Sequence, residues 1–367
     1  MTTNAQTVET NKVNIEKAGL LAAIKKVLPG VERGSTTIDG ADQILFTGAS
    51  VSSYNGEVAV TAPCNTQGLS FSVKGMDFYN LVSKMNDLNL TIELADKKLK
   101  IKGGRTKAMM ALLDASVIRE SVGALELDKL NYSPFTEEFL GGVRLCALSG
   151  NVESTRGIAV ADFGETSAIF GADTNRVCVY PLDTKMSPFW VDDSTFNDAL
   201  KVGTPKEYSV SDIWLHLRYE DGAVFSAHLK DLTPYPVDYC TTLVGAIDQL
   251  PVIVSGRLPS TLAEAVSRVS ILASGVDTKN TKLVELTFRN EELELYAEKM
   301  GGEASETIPW ETPVNGDPQE AKVWVDTAFL LEASNKAMDF ILTEVDGSPA
   351  LMFKSGNYVQ FVSATTK

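Results

Sequence analysis

Cys64, Cys146, Cys178 and Cys240 are the chain's four thiols, and His216 and His228 its two imidazoles. Such side chains do nucleophilic, acid–base or metal chemistry only when the sequence can bring them together. The cysteines stand far apart with no CxxC pair, which fits reduced thiols in a core better than a disulfide framework or a zinc site. The histidines flank an Asp221-Gly222 turn and read as strand residues. Gly30, Gly34, Ser35 and Thr36 have part of a phosphate loop's spacing but lack its GK[ST] ending and a preceding strand. The 48 Asp and Glu residues make chance pairs. Two of these, Asp192-Asp193 and Glu137-Glu138, fall at predicted helix starts, where the helix dipole explains them. No GxSxG, HExxH or GxGxxG stands in a fitting context. The chain is therefore not expected to be an enzyme, nor to hold a metal or cofactor.

Cationic chemistry remains. Lys25, Lys26, Lys84, Arg144, Lys201, Arg268 and Lys336 put at least one positive charge on each of the six helices expected from the pattern. Such a set can neutralise phosphates without reading bases, although cations on a helix more often mark a solvated face. The net charge of −15 argues against nucleic acid held by affinity. A protein that encircles the polymer escapes that argument, because topology replaces affinity and a few cations on one surface suffice.

The elements that carry these cations recur. Leu21-Ala-Ala-Ile24-Lys25, Leu140-Gly-Gly-Val143-Arg144 and Leu262-Ala-Glu-Ala-Val266-Ser-Arg268 each read as an amphipathic helix, their first leucines 119 and 122 residues apart. A second trio, Val73-Lys-Gly-Met-Asp-Phe78, Val191-Asp-Asp-Ser-Thr-Phe196 and Val325-Asp-Thr-Ala-Phe329, has steps of 118 and 134. A period this long implies tandem globular domains rather than a solenoid.

In each third, a helix (20–28, 136–148, 262–273) precedes alternating strand runs, a second helix (77–85, 194–202, 327–338) and more strands. In the first third, 43–46 and 58–61 are expected to alternate around Tyr54-Asn55-Gly56. Linkers are expected at 121–133 and 244–260. The domains then run 1–125, with 1–11 a flexible tail, 126–248 and 249–367. The fold class is α+β, antiparallel sheets covered on one side by two helices per domain. Hydrophobic content of 44% supports a core in each. No apolar run reaches the roughly 18 residues of a spanning helix, and the polar start lacks the order of a signal peptide.

This organisation resembles the bacterial DNA sliding clamp, the β-subunit-type processivity factor of the replicative polymerase. Asp173-Thr174-Asn175-Arg176-Val177 is similar to the family's Asp-Gly-His-Arg-Leu, and Arg268-Val-Ser-Ile271-Leu272 to its Arg-Ala-Ala-Ile-Leu. Gly104-Arg105-Thr106-Lys107 matches its Gly-Arg-Ser-Arg, and Tyr235-Pro236-Val237-Asp238-Tyr239 its Phe-Pro-Asp-Tyr with one residue more. Tyr358-Val359-Gln360-Phe361-Val362 falls where the family's last pocket strand ends the chain. The resemblance covers residues 12–367. Asn175 in place of His, and the extra residues 363–367, are departures that would suit a divergent viral member.

The resemblance implies a head-to-tail homodimeric ring that encircles duplex DNA and tethers the polymerase. Its partners would be that polymerase and a clamp loader, with no membrane, in the cytoplasm (nucleoid-associated, or a host's cytoplasm if viral). It implies that Arg105, Lys107, Ala108 and Met110 meet Ile271 and Leu272 across each seam, although Ile271 and Leu272 could equally be core residues. It places the helix cations toward DNA, with Arg33 and Arg156 as loop contacts. A cleft for partner peptides would use Ala159, Thr174, Asn175, Arg176, Val177, Pro236, Thr242, Val359 and Phe361. Two readings compete: a scaffold ring that displays partner sites without DNA, and a carboxylate-based hydrolase between domains.

Overall fold

The computed structural model describes residues 11–32, 34, 38–148, 155–273, 282–316, 318 and 321–366. One order of elements occurs three times within them. In the first round β1 (Lys12–Glu16) leads into α1 (Lys17–Val27), followed by β2 (Gln43–Thr47), β3 (Ser50–Tyr54), β4 (Val58–Pro63) and β5 (Ser70–Lys74). Then come α2 (Gly75–Lys84), β6 (Asn89–Ala95), β7 (Lys98–Gly103) and β8 (Thr106–Ala111), and α3 (Ser116–Ala124) connects onward.

The second round is β9 (Ser133–Pro134), α4 (Glu137–Cys146), β10 (Ile158–Phe163), β11 (Thr166–Ala172), β12 (Arg176–Pro181) and β13 (Phe189–Val191). It closes with α5 (Asp193–Val202), β14 (Glu207–Val210), β15 (Trp214–Arg218) and β16 (Val224–His228), and α6 (Val237–Gly245) follows.

The third is β17 (Val252–Arg257), α7 (Leu262–Val269), β18 (Leu283–Phe288), β19 (Glu292–Lys299) and β20 (Gly302–Pro309), with a short β21 (Asn315–Gly316) before β22 (Lys322–Asp326). It ends with α8 (Thr327–Ser334), β23 (Asp339–Val345), β24 (Ser348–Ser355) and β25 (Tyr358–Ser363). The α+β class, with antiparallel sheets, is as expected.

Local sequence accounts for most of these elements. α1 buries Leu20, Ala23, Ile24 and Val27, an i, i+3, i+4, i+7 stripe, and Pro29 just beyond it prevents continuation. The buried carbonyl of Val27 at its end accepts from the Ser53 hydroxyl at 2.6 Å. α8 is capped by Asp326, whose carboxylate accepts from Ala328 N at 2.7 Å. The second trio of sequence markers lies at equivalent places, where β5 meets α2, β13 meets α5 and β22 meets α8.

Four features differ from the sequence expectation. β3 intervenes between the runs at 43–46 and 58–61, so the Asn55-Gly56 turn joins β3 to β4, with Gly56 at φ +97°. β1, β9 and β17 precede the first helix of each round. Helices α3 and α6 occupy or adjoin the stretches read as linkers, and α7 tightens into a 3-10 turn over Ser270–Leu272. These were hidden because short strands and connector helices carry too few residues to show a period.

The chain divides into two compact units. The first, residues 1–136 and 194–230, holds a four-stranded sheet ordered β1-β6-β7-β8 and an eight-stranded one ordered β5-β2-β3-β4-β16-β15-β14-β9. The second, residues 137–193 and 231–367, holds a nine-stranded sheet ordered β13-β10-β11-β12-β25-β24-β23-β17-β21 and a four-stranded one ordered β20-β19-β18-β22. Each large sheet is continuous across a repeat boundary, through β4–β16 in one unit and β12–β25 in the other.

A buried ion network braces the second of these junctions. Arg176, whose side chain is 1% exposed, donates to Asp173 Oδ2 at 2.6 and 2.9 Å and to Glu332 Oε2 at 2.9 Å. Its guanidinium lies 3.9 Å from the Phe329 ring centroid. Glu332 Oε1 in turn accepts from Lys336 at 2.7 Å, and Lys336 also donates to the carbonyls of Leu145 and Ala147 at 3.0 and 2.7 Å. One chain of charge therefore ties the turn before β12 to α8 and to the end of α4. Removing one partner strands a buried charge, which costs about 3–5 kcal/mol. Glu332→Gln is accordingly expected to lower stability by roughly 3 kcal/mol in urea unfolding. A loss within about 1 kcal/mol would mean that Arg176 needs only Asp173.

In the first unit, His216 on β15 is fully buried between the hydroxyls of Ser211 (3.1 Å) and Ser226 (2.9 Å). Burial lowers it to about 4, so the folded chain keeps it neutral while the unfolded chain, near 6.5, takes up a proton. Stability from this group is therefore complete above pH 6.5 and is lost as pH falls toward 4. About 2 kcal/mol should disappear between pH 7 and pH 5. Urea midpoints across that range test it, and His216→Gln should flatten the dependence.

Candidate functional site

At the end of the β12–β25 ladder, within the second unit, lies a half-open cleft of about 350 Å³. One wall is the turn before β12. Asp173 Oδ1 accepts from the Asn175 and Arg176 amides at 2.8 Å each, and Asp173 N bonds Arg176 O at 2.9 Å. α6 supplies Tyr239 and Leu243, and the β23–β24 turn supplies Val345, Pro349 and Ala350. Phe361 of β25, opposite Val177, forms the floor. The apolar side chains are interleaved with polar ones, among them Thr174, Asn175, Asp346, Ser348 and Ser363, and the apolar part suits an aliphatic or aromatic anchor of a short peptide.

Of the residues expected at this cleft, the structure brings together Thr174, Asn175, Arg176, Val177 and Phe361. Arg176 contributes to the wall, but its guanidinium is held inside the fold. Ala159 does not reach the cleft: it is fully buried on β10, between Phe170 of β11 and Trp190 of β13. Val359 is a core residue opposite Val179. Pro236 begins α6 and Thr242 is exposed on it, and neither lines the cleft. The sequence reading missed Tyr239 and Leu243. Their i, i+4 spacing was the available signal once 237–245 is read as a helix.

The candidate DNA-facing cations separate by their partners. Lys25, Lys84 and Arg144 are exposed and form no ion pair among the described residues. Lys26 pairs with Asp221, Lys201 with Asp198 at 2.5 Å, and Arg156 with Asp193 at 2.8 Å. Arg268 is held by Glu306 at 2.6 Å and Glu264 at 3.6 Å, which offsets its charge. Lys336 is a correction: half-buried, with its ammonium shared between Glu332 and two carbonyls of α4's end, it braces the fold. Arg33 lies outside the described residues.

The residues expected at the seam are accessible. Ile271 is 68% exposed and so is not a core residue, while Leu272 beside it is half-buried. Arg105 and Lys107 are exposed, and Ala108 and Met110 half-buried along β8. Among the described residues no strand pairs with the outer edge of β8 or of β20. The thiols offer no nucleophile: burial pushes Cys64 up to about 11, Cys178 and Cys240 to about 12, and Cys146 well above its usual range.

Neither protein-family models nor curated proteins match the chain. Solved structures match over 97% of its length. The DNA polymerase sliding clamp of Bacillus subtilis aligns over 99% of its own chain with a TM-score of 0.76 at 15% identity. The DNA polymerase III β chain of Streptococcus pneumoniae aligns over 100% with a TM-score of 0.79 at 12%. The Helicobacter pylori β clamp, solved bound to a DNA ligase peptide, aligns over 100% with a TM-score of 0.74 at 16%. The chain has the fold of the bacterial DNA polymerase sliding clamps.

Proposed function

We propose that this protein is a DNA sliding clamp, a non-enzymatic ring that tethers a polymerase to duplex DNA. The observation that carries the reading is the fold correspondence, which runs over 97% of this chain and 99–100% of the clamp chains. The threefold order of elements supports three domains, with boundaries near residues 125 and 248. In a head-to-tail pair, the open edge of β8 in one copy would continue the sheet from β20 of the other, removing both unpaired edges. Arg105 and Lys107 would then face the exposed Glu303 side of β20, a complementary pairing.

Lys25, Lys84 and Arg144 are the cations best placed to meet phosphates without reading sequence. The overall charge of −15 would repel DNA elsewhere. The cleft beside Phe361 is the docking site for a peptide of polymerase or loader, a role supported by the ligase peptide bound to the Helicobacter clamp. The scaffold reading gains from the pairing of Lys26, Lys201, Arg156 and Arg268 with carboxylates, which leaves fewer charges for DNA.

Negative-stain microscopy at micromolar concentration separates the two. Rings with a hole wide enough for duplex DNA are expected, and Ile271→Ala with Leu272→Ala should convert them to folded monomers. Compact dimers without a hole would overturn the clamp reading. For the cleft, a fluorescein-labelled peptide ending in Leu-Phe should bind with micromolar affinity and lose at least roughly tenfold in Phe361→Ala, the scale of one buried interface anchor. Unchanged binding in that variant would place the partner site elsewhere.

A further inference from the structure

The backbone geometry that builds the Phe361 cleft is present a second time, in the first unit. At the β4–β16 junction, Asn55 takes the part of Asp173. Its Oδ1 accepts from the Glu57 and Val58 amides at 3.1 and 2.8 Å, and its N bonds Val58 O at 3.1 Å. The next bonds correspond as well. His228 N donates to Glu57 O at 2.8 Å, as Ser363 N does to Asn175 O at 2.8 Å. Leu229 N donates to Ile213 O at 2.9 Å, as Ala364 N does to Pro349 O at 3.0 Å. α3 stands where α6 does, directly after the last strand of the preceding round, and the β14–β15 turn stands where the β23–β24 turn does.

These elements enclose a second cleft, of about 680 Å³. The side chains on its walls differ from those of the first. Tyr54 and Trp214, with ring centroids 6.4 Å apart, give it an aromatic wall, and Leu125 adds an aliphatic one. Ile213, a large β-branched residue, is 53% exposed at its lip. The charged side chains lining it are Asp212, Glu126 and Lys129, and Lys129 is already paired with Glu126 at 2.6 Å. The exposed carboxylate of Asp212 is left facing solvent beside the apolar wall. Among the described residues no ion network corresponds to that of the β12–β25 junction, because Val58 stands in the position of Arg176.

We infer that this cleft is a second docking site, for a short peptide segment of another protein that presents an aliphatic–aromatic anchor followed by cationic residues. The apolar wall recognises the anchor, and the unneutralised acid at the lip selects the positive flank. The inference uses the first cleft for its architecture alone and does not require that DNA be encircled. The two sites would let one chain hold two partners.

The test is fluorescence anisotropy with fluorescein-Gly-Leu-Phe-Lys-Lys-amide on the full chain. In Phe361→Ala, which weakens the first cleft, saturable binding should persist, and it should fall at least tenfold when Ile213→Asp or Asp212→Lys is added. The Glu-Glu counterpart of the peptide should bind at least tenfold more weakly than the Lys-Lys form. Loss in Phe361→Ala with no effect of Ile213→Asp would overturn the second site, since the peptide would be reading the first. Equal binding of the two peptides would overturn the charge assignment. A change of oligomeric state in Ile213→Asp, seen by sedimentation, would show that a second copy of the chain covers this surface and would also overturn the proposal. Circular dichroism of the variants separates these outcomes from misfolding, and Asp212→Asn supplies a milder change should Asp212→Lys misfold.

Discussion

Two antiparallel ladders, β4 with β16 and β12 with β25, are the constraint on which the rest depends. Each joins the edge strand of one repeat to the last strand of the next, so backbone donors and acceptors that would be open template edges are satisfied internally. They extend the large sheets to eight and nine strands and fix the register of everything hydrogen-bonded outward from them. Both clefts are consequences. Each forms where a ladder ends at an Asx turn, with a connector helix on one side and a hairpin turn on the other.

The two junctions are braced by different chemistry. The second relies on the Asp173–Arg176–Glu332–Lys336 chain, in which every charge has a counter-charge or a carbonyl and an aromatic ring covers the guanidinium. Complete pairing makes that buried charge tolerable; a half-made network would be worse than an apolar core. At the first junction the pair across the repeats is Lys26 with Asp221, at the surface, and the buried polar groups beside it are neutral: His216 held between two serine hydroxyls and Tyr219 donating to Ala199 O at 2.7 Å. Acid should act on the first unit through His216, since protonation there needs a buried imidazole to charge.

Much of the fold was legible because its signals were local. The apolar stripe of α1, the Asn55-Gly56 turn and the recurring Val-to-Phe markers follow from periodicity and turn chemistry over a few residues. The cleft was half legible. Asp173 to Val177 could be matched as a motif, whereas Tyr239 and Leu243 come from a helix that ends where a linker was expected, and Val345 to Ala350 from a turn far along the chain. Ala159 and Val359, which the resemblance implied at the cleft, lie in the core, because β11 and β13 flank Ala159 on both sides and Val359 stands two residues further along the ladder than Phe361.

The sequence by itself determined the three rounds of elements and the α+β class, since these depend on spacing and residue type alone. Only the tertiary structure decided which edges pair, which cations are free and which are consumed. Lys336 and Lys84 look alike in sequence. One is bound to Glu332 and two carbonyls nearly two hundred residues earlier in the chain, and the other stands in solvent. A charge's role depends on the neighbours that long-range strand pairing brings to it, and no local pattern encodes those neighbours.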